Sequence, residues 1–272
     1  MSDAYPNNLN KAKRPATRYE KFDPSPGLKD IVYHYWILTS QGKCVATRSR
    51  WRLPISHIAI EFNFQDNAMT IRAPALKAAH VRFAGQVKIL GIVLQTGAFY
   101  SLFRCPAHFI TGDMPLKSVV GEKALPFEKV FSARNLKAAI GIAESLLKKL
   151  YEDRIPINPK IRKALAAIYE SEGNIKIADI YRLVSMSSRH FERLFREWTG
   201  LSPKLFCSVC RFAKLYEYLH DNSEIDLLRT ALHMGYYDQS HFADEFKKFR
   251  DLTPSQVQDI RRFVYGKKPP KP

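Results

Sequence analysis

Two groups of polar side chains near the C-terminus are spaced so that each falls on one face of a helix. Arg189, Glu192, Arg193 and Arg196 form the first; Gln239, Ser240, Ala243, Asp244 and Lys247 form the second. Residues three and four apart on a helix share a face. Guanidinium, carboxylate and amide groups offer hydrogen bonds and charge, so recognition of a polar partner fits them better than nucleophilic attack or metal ligation. The opposite faces are aromatic: Phe191, Leu194, Phe195 and Trp198, then Phe242, Phe246 and Phe249. The two stretches are copies of one pattern, because 187–203 returns without a gap as 238–254, 51 residues later. The identities are His190/His241, Phe191/Phe242, Phe195/Phe246, Leu201/Leu252 and Pro203/Pro254. The matches sit where a helix packs and where it stops, and the outward positions differ. One scaffold presenting two different surfaces would look like this.

The elements that must position these faces are legible too. Ser187 and Asp238 are good N-cap residues. A short amphipathic helix precedes each copy, marked by Ile177, Ile180, Tyr181 and Val184, then by Leu227, Leu228, Ala231 and Leu232. Tight turns around Ser185-Met186 and Gly235-Tyr236 join each short helix to its partner. Helix, turn and a second helix with a polar outer face is the helix-turn-helix layout, whose second helix fits the major groove of DNA. Ser202-Pro203 and Thr253-Pro254 each start a further helix. The first runs to about His220, a rod of roughly 27 Å at ~1.5 Å per residue. That length could hold two recognition helices about one duplex turn, roughly 34 Å, apart.

Residues 160–262 resemble the DNA-binding domain of the AraC/XylS family of bacterial transcription regulators. The resemblance rests on Gly235-Tyr236-Tyr237-Asp238-Gln239-Ser240-His241-Phe242, Phe246-Lys247-Lys248-Phe249 and Leu252-Thr253-Pro254 in the second unit. In the first it rests on Met186-Ser187, Phe191, Arg193, Phe195, Thr199-Gly200 and Ser202-Pro203. It implies that outward residues of both recognition helices contact DNA: Ser188, Arg189, Glu192, Arg193 and Arg196, then Gln239, Ser240, Ala243, Asp244, Lys247 and Lys248. Arg193 would take guanine O6 and N7, and Glu192 would accept from a cytosine amino group. Arg196, Lys247 and Lys248 would neutralise phosphate, and His190 and His241 would pack or meet phosphate. Three positions depart from the family pattern: Asp244 where a basic residue is common, Asp251 in place of glycine, and Ser185 in the first turn. The first unit is therefore expected to bind more tightly, and the second to bind weakly or read shape.

The 272 residues suffice for about two domains. A net charge of +17 points to an anionic partner. Residues 1–150 hold 22 Lys+Arg against 10 Asp+Glu, so the half bearing the repeat is the less basic one. Sequence reading predicts no spanning helix, signal peptide or disulfide framework, and a cytoplasmic protein. The expected organisation is α+β. A flexible arm occupies 1–16, a β-rich, barrel-like domain with helices 17–153, an all-α domain with two helix-turn-helix units 157–265, and a disordered tail 266–272. Strands are marked at Ile31–Leu38, Ile58–Phe64 and Val87–Leu94, a short helix near Phe99, and a helical stripe at Leu136, Ile140, Ala143, Leu147 and Leu150. Pro156 and Pro159 mark the boundary.

The resemblance implies a ligand-sensing or dimerising N-terminal domain. Its order is similar to one class of such domains: Pro26-Gly27-Leu28, Tyr35-Trp36, Leu53-Pro54, Phe62-Asn63-Phe64 and Leu90 to Ala98. Trp36, Trp51, His57, Phe62 and Phe83 could line a pocket, with an aromatic core as the alternative. Helix 135–151 is the candidate dimer interface, against packing within the domain. Cys207-Ser208-Val209-Cys210 falls inside a helix without a second ligand pair, so no zinc or redox site is read there. His34, His57, His80 and His108 are scattered; a cupin-like metal site assembled from separate strands stays open, but no metal or cofactor is assigned.

The expected function is a bacterial, sequence-specific DNA-binding transcription regulator, more often an activator, and no enzyme. Its partners would be double-stranded DNA, RNA polymerase, a small-molecule effector and a second copy of itself, with no membrane. Two other classes stay open on the residues alone: a DNA-guided enzyme with a catalytic or metal-binding N-terminal domain, and a non-specific architectural DNA binder.

Overall fold

A computed structural model describes residues 17–40, 48–52, 56–74, 79–83 and 86–221, together with Leu232 and Gly235. The N-terminal part is built on antiparallel strands. These are β1 (Thr17–Phe22), β2 (Val32–Ser40), β3 (Arg48–Arg52), β4 (Ala59–Asn63), β5 (Ala68–Arg72), β6 (Ala79–Phe83), β7 (Lys88–Leu94) and β8 (Asp113–Pro115). Six of them form a sheet in the order β1-β2-β7-β4-β5-β8, and β3 pairs with β6 as a two-stranded ribbon. Strands β2, β4 and β7 are the three that the sequence pattern marks.

Alternation along the strands divides the sheet into two faces. Tyr35, Ile37, Ile60, Phe62, Ile71, Leu90 and Ile92 are buried in one core with α3 (Leu136–Glu152), which contributes Ala139, Ala143 and Leu147. Phe62 meets Phe127 and Phe131 there, with ring centroids 6.3 and 5.8 Å away. The candidate dimer helix thus spends its small-residue face inside its own domain. On the other sheet face Trp36 lies opposite Gly91. A Cβ on Gly91 would stand 2.0 Å from the indole, so only glycine lets the ring lie against the sheet. A bulge between Val32 and His34 interrupts the β2–β7 ladder beside Tyr33, which is exposed and stacks on His57 at 4.7 Å.

The helices α1 (Ala98–Phe103) and α2 (Leu116–Val120) precede α3. Beyond it come α4 (Pro159–Glu170), α5 (Ile177–Val184), α6 (Ser188–Thr199) and α7 (Pro203–Asp221). Pro159 is the first residue of α4, whose Asn158 cap accepts from the Lys160 N–H at 2.9 Å. The helix ends in paired bonds from Glu172 N to Tyr169 O and from Gly173 N to Ile168 O, a Schellman closure. Gly173 has φ +83°, and a Cβ there would come within 2.4 Å of the Cys207 carbonyl, so this turn packs directly on α7. A second core lies among α4 to α7: Ile161, Ile168, Ile180, Val184, Phe191, Phe195, Trp198, Phe206 and Phe212.

The two cores meet at a seam around α1. Tyr100 packs on Trp198 at 4.6 Å, and Thr96 Oγ1 and Tyr169 Oη are 2.7 Å apart. Ser101 exchanges two bonds with Ile155: its hydroxyl donates to the Ile155 carbonyl at 2.5 Å, and the Ile155 N–H donates to the Ser101 carbonyl at 2.9 Å.

Candidate nucleic-acid interface

Helices α5 and α6 are joined by the turn Ser185-Met186-Ser187. Ser185 caps α5 in the left-handed region (φ 49°, ψ 55°), a conformation that reverses the chain in one residue. Ser187 holds the expected N-cap position of α6 with extended backbone, but its hydroxyl makes no capping bond. The helix then turns Phe191, Phe195 and Trp198 inward, all buried, while Ser188, Arg189, Glu192, Arg193 and Arg196 are exposed. His190 is exposed as well, which leaves it outside the aromatic packing.

The outward face is partly pre-arranged by its own contacts. Arg193 Nη1 donates to Glu197 Oε1 at 2.8 Å, one turn further along α6. Glu192 Oε1 accepts from Tyr181 Oη at 2.7 Å. Burial and the neighbouring Glu192 carboxylate push the Tyr181 hydroxyl up to about 12, so it remains a donor that holds Glu192 against α5. Arg189 and Arg196 form no ion pair among the described residues. Arg193 and Glu192 are thus held by neighbouring side chains, in contrast to Arg189 and Arg196.

Gln239, Ser240, Ala243, Asp244, Lys247 and Lys248, assigned to the second unit, lie outside the described residues. Of that unit, Gly235 is described in a turn with φ +83°. A Cβ there would come within 2.2 Å of Asn174 Oδ1, so this turn approaches the α4–α5 connection closely.

Of the residues read as a ligand pocket, Phe62 and Trp36 lie on opposite faces of the sheet. Phe62 belongs to the core, Trp36 packs against Gly91 and Tyr19, and His57 stacks on Tyr33. Trp51 and Phe83 lie on the paired strands β3 and β6. A cavity of about 340 Å³ opens elsewhere, lined by Glu61, Asn63, Thr70, Arg72 and Asp113. Arg72 bridges Glu61 at 2.5 Å and Asp113 at 3.2 Å across it. Its signal was present in the strand alternation, which sets Glu61 and Asn63 on the face opposite Phe62.

The cysteines Cys207 and Cys210 sit on α7. Burial pushes their thiols up to about 11 and about 12, the second helped by its neighbour. They are protonated at neutral pH and act as small packing groups. His34 and His57 are both held down to about 4, first by burial; Lys21 adds to this at His34, against Asp23, and His34 adds to it at His57.

Residues 180–260 match the helix-turn-helix domain family. The chain carries an AraC-type helix-turn-helix domain. Residues 20–114 match a second family, described as a domain of unknown function, DUF6597. An uncharacterized HTH-type transcriptional regulator of Haemophilus influenzae is 33% identical over 100 residues, 36% of this chain and 33% of that protein. The match thus spans about a third of that relative's length. Among solved structures, ToxT from Vibrio cholerae aligns with 91% of this chain and 99% of its own at 10% identity and a TM-score of 0.41. The C-terminal domain of AraT, a response regulator from Geobacillus stearothermophilus, covers 39% of this chain and 89% of its own at 23% identity and a TM-score of 0.36. Helices α5 and α6, joined by the turn at Ser185, form a helix-turn-helix at the start of the matched residues.

Proposed function

We propose that this protein is a sequence-specific DNA-binding transcription regulator whose first unit reads DNA through α6. The observation that carries this reading is the division of α6 into a buried aromatic side and an exposed side bearing Arg189, Glu192, Arg193 and Arg196. Arg193 and Glu192 read base edges, whereas Arg189, Arg196 and Ser188 hold phosphate. Gln239, Ser240, Ala243, Asp244, Lys247 and Lys248 form the second, weaker reading face, and α7 is the rod that spaces the two. In this reading residues 17–153 are a sensing or dimerising domain and 157–265 the DNA-binding domain, flanked by an arm (1–16) and a tail (266–272). The protein works in the bacterial cytoplasm, is not an enzyme, and more often activates, through RNA polymerase, than represses. A small-molecule effector acts on the N-terminal domain, and the protein works as a homodimer.

The test is a salt series on cognate and scrambled duplexes, with Arg193→Ala alongside the wild type. Non-specific binding is electrostatic and nearly blind to sequence. Arg193→Ala should cost roughly 1–3 kcal/mol on the cognate duplex and relax base preference at one position. An equal loss on every duplex would overturn the base-reading role.

A further inference from the structure

Glu192 stands on α6 between two arginines, Arg189 three residues before it and Arg196 four residues after it. Residues at these spacings are neighbours on a helix surface, and a glutamate four residues ahead of a cation is the favoured order for an ion pair. Among the described residues neither pair forms. The Glu192 carboxylate turns instead to α5, where its Oε1 accepts from Tyr181 Oη at 2.7 Å. Its other oxygen, Oε2, takes no bond among the described residues. Arg193 is engaged by Glu197 at 2.8 Å, which leaves Arg189 and Arg196 as the open cations of this face.

The tyrosine is built to win this competition. Tyr181 is half-buried, and its ring packs edge-on against Phe191 at 5.9 Å, a side chain buried in the second core. A tyrosine has only two side-chain torsions, so an anchored ring brings its hydroxyl to Glu192 at little cost in entropy. The hydroxyl stays protonated at neutral pH, because burial and the Glu192 carboxylate both push it up. Its bond to an ionised carboxylate is charge-assisted, and such bonds outweigh an exposed ion pair within one helix. The bond also spans two helices, so the packing of α5 on α6 fixes its geometry. The first helix of a helix-turn-helix crosses the DNA backbone and does not enter the groove. Tyr181 can therefore act on base reading without touching a base.

We propose that Tyr181 is a positioning residue for base recognition: its hydroxyl holds the Glu192 carboxylate in one orientation, with Oε2 left to accept from a base, and keeps it out of ion pairs with Arg189 and Arg196. The proposal rests on reading α6 as the DNA-contacting helix. Without the hydroxyl, the carboxylate falls back on the arginines beside it. A carboxylate so paired loses its fixed geometry toward a cytosine amino group, and the paired arginine no longer displaces a counterion from phosphate. One side chain of α5 thus sets both the base preference of Glu192 and the number of arginines free for the backbone. Phenylalanine at this position keeps the ring on Phe191 and removes the bond alone.

The experiment uses the full chain and a short duplex enriched by the wild type from a random library. Glu192→Ala first locates the base pair at which preference relaxes; a variant that relaxes none overturns the proposal. Tyr181→Phe should then lower affinity for the cognate duplex about threefold to tenfold, part of the discrimination that one good base contact supplies. Duplexes altered at that base pair should be bound nearly as before. In the Glu192→Ala background the same substitution should change nothing. The slope of log affinity against log salt should become shallower in Tyr181→Phe by up to about one, as one arginine is withdrawn from phosphate. Unchanged binding, an equal loss on every duplex, or the same loss with and without Glu192 would each overturn the positioning role. Arg193→Ala keeps the two readings apart. If it leaves binding and base preference intact, or if no duplex is enriched, the DNA-reading role of α6 falls and that of Tyr181 falls with it. If it relaxes base preference while Tyr181→Phe changes nothing, the positioning role alone is wrong.

Discussion

The N-terminal and C-terminal cores are made in different ways. The first gathers residues from Leu28 to Leu147, joined through strand pairings distant in sequence, such as β2 with β7. The second draws on Ile161 to Phe212, within consecutive short helices, and is dominated by rings: Phe195 lies 5.4 Å from Phe191 and 5.5 Å from Phe206. A core built from neighbours in the chain can be specified by local periodicity, whereas one built from distant strands depends on register. The functional contrast follows. The N-terminal region turns charged groups such as Arg72 and Glu61 toward each other, with both side chains largely covered. The C-terminal region displays its charges on α6, because the aromatic side of that helix consumes the whole buried face.

The largest expected effect tests whether the cores are separate. Phe195→Ala should cost about 4 kcal/mol, since a buried ring is removed from a tightly packed cluster. Thermal unfolding followed by near-UV and far-UV circular dichroism should then split, with helix lost before sheet. A single transition would mean that the seam couples the cores into one unit.

An intermediate effect concerns acid. His34 and His57 are neutral in the fold with values near 4, against an ordinary 6.5. The unfolded chain therefore binds more protons between those limits. The stability they support is complete above pH 6.5 and is lost as pH falls toward 4. Urea midpoints at pH 7 and pH 5 should show this drop, and His57→Leu should flatten it. An equal drop in that variant would assign the acid sensitivity to other groups. The loss should begin in the N-terminal region, because both rings belong to it.

The smallest effect lies in the turn between α5 and α6. Ser185 occupies the left-handed region, which costs an L-residue more than glycine. Ser185→Gly should stabilise the C-terminal helices by roughly 0.5–1 kcal/mol without altering DNA affinity. Destabilisation would show that the serine side chain, and not the backbone, is what the turn requires.

Much of the helical half was legible from residue order. Ile177, Ile180, Tyr181 and Val184 mark α5, and the bounds of α6 follow from Ser187 and Gly200. The short strands β5 and β8 and the 3-10 segment 121–132 were not marked, since their burial comes from partners far along the chain. The polar cavity around Arg72 went unread for the same reason, although Glu61 and Asn63 already alternated with Phe62. Of the aromatic residues expected to share a pocket, strand register sends Phe62 and Trp36 to opposite faces of the sheet.

Residue order by itself determined the α5–turn–α6 unit and the polar stripe on α6, because helix period and turn chemistry act over a few residues. Tertiary structure alone decided what stands beside that stripe. Ala107 and Gly200 are far apart in the chain, and only the docking of α1 and its following turn onto the second core brings them together.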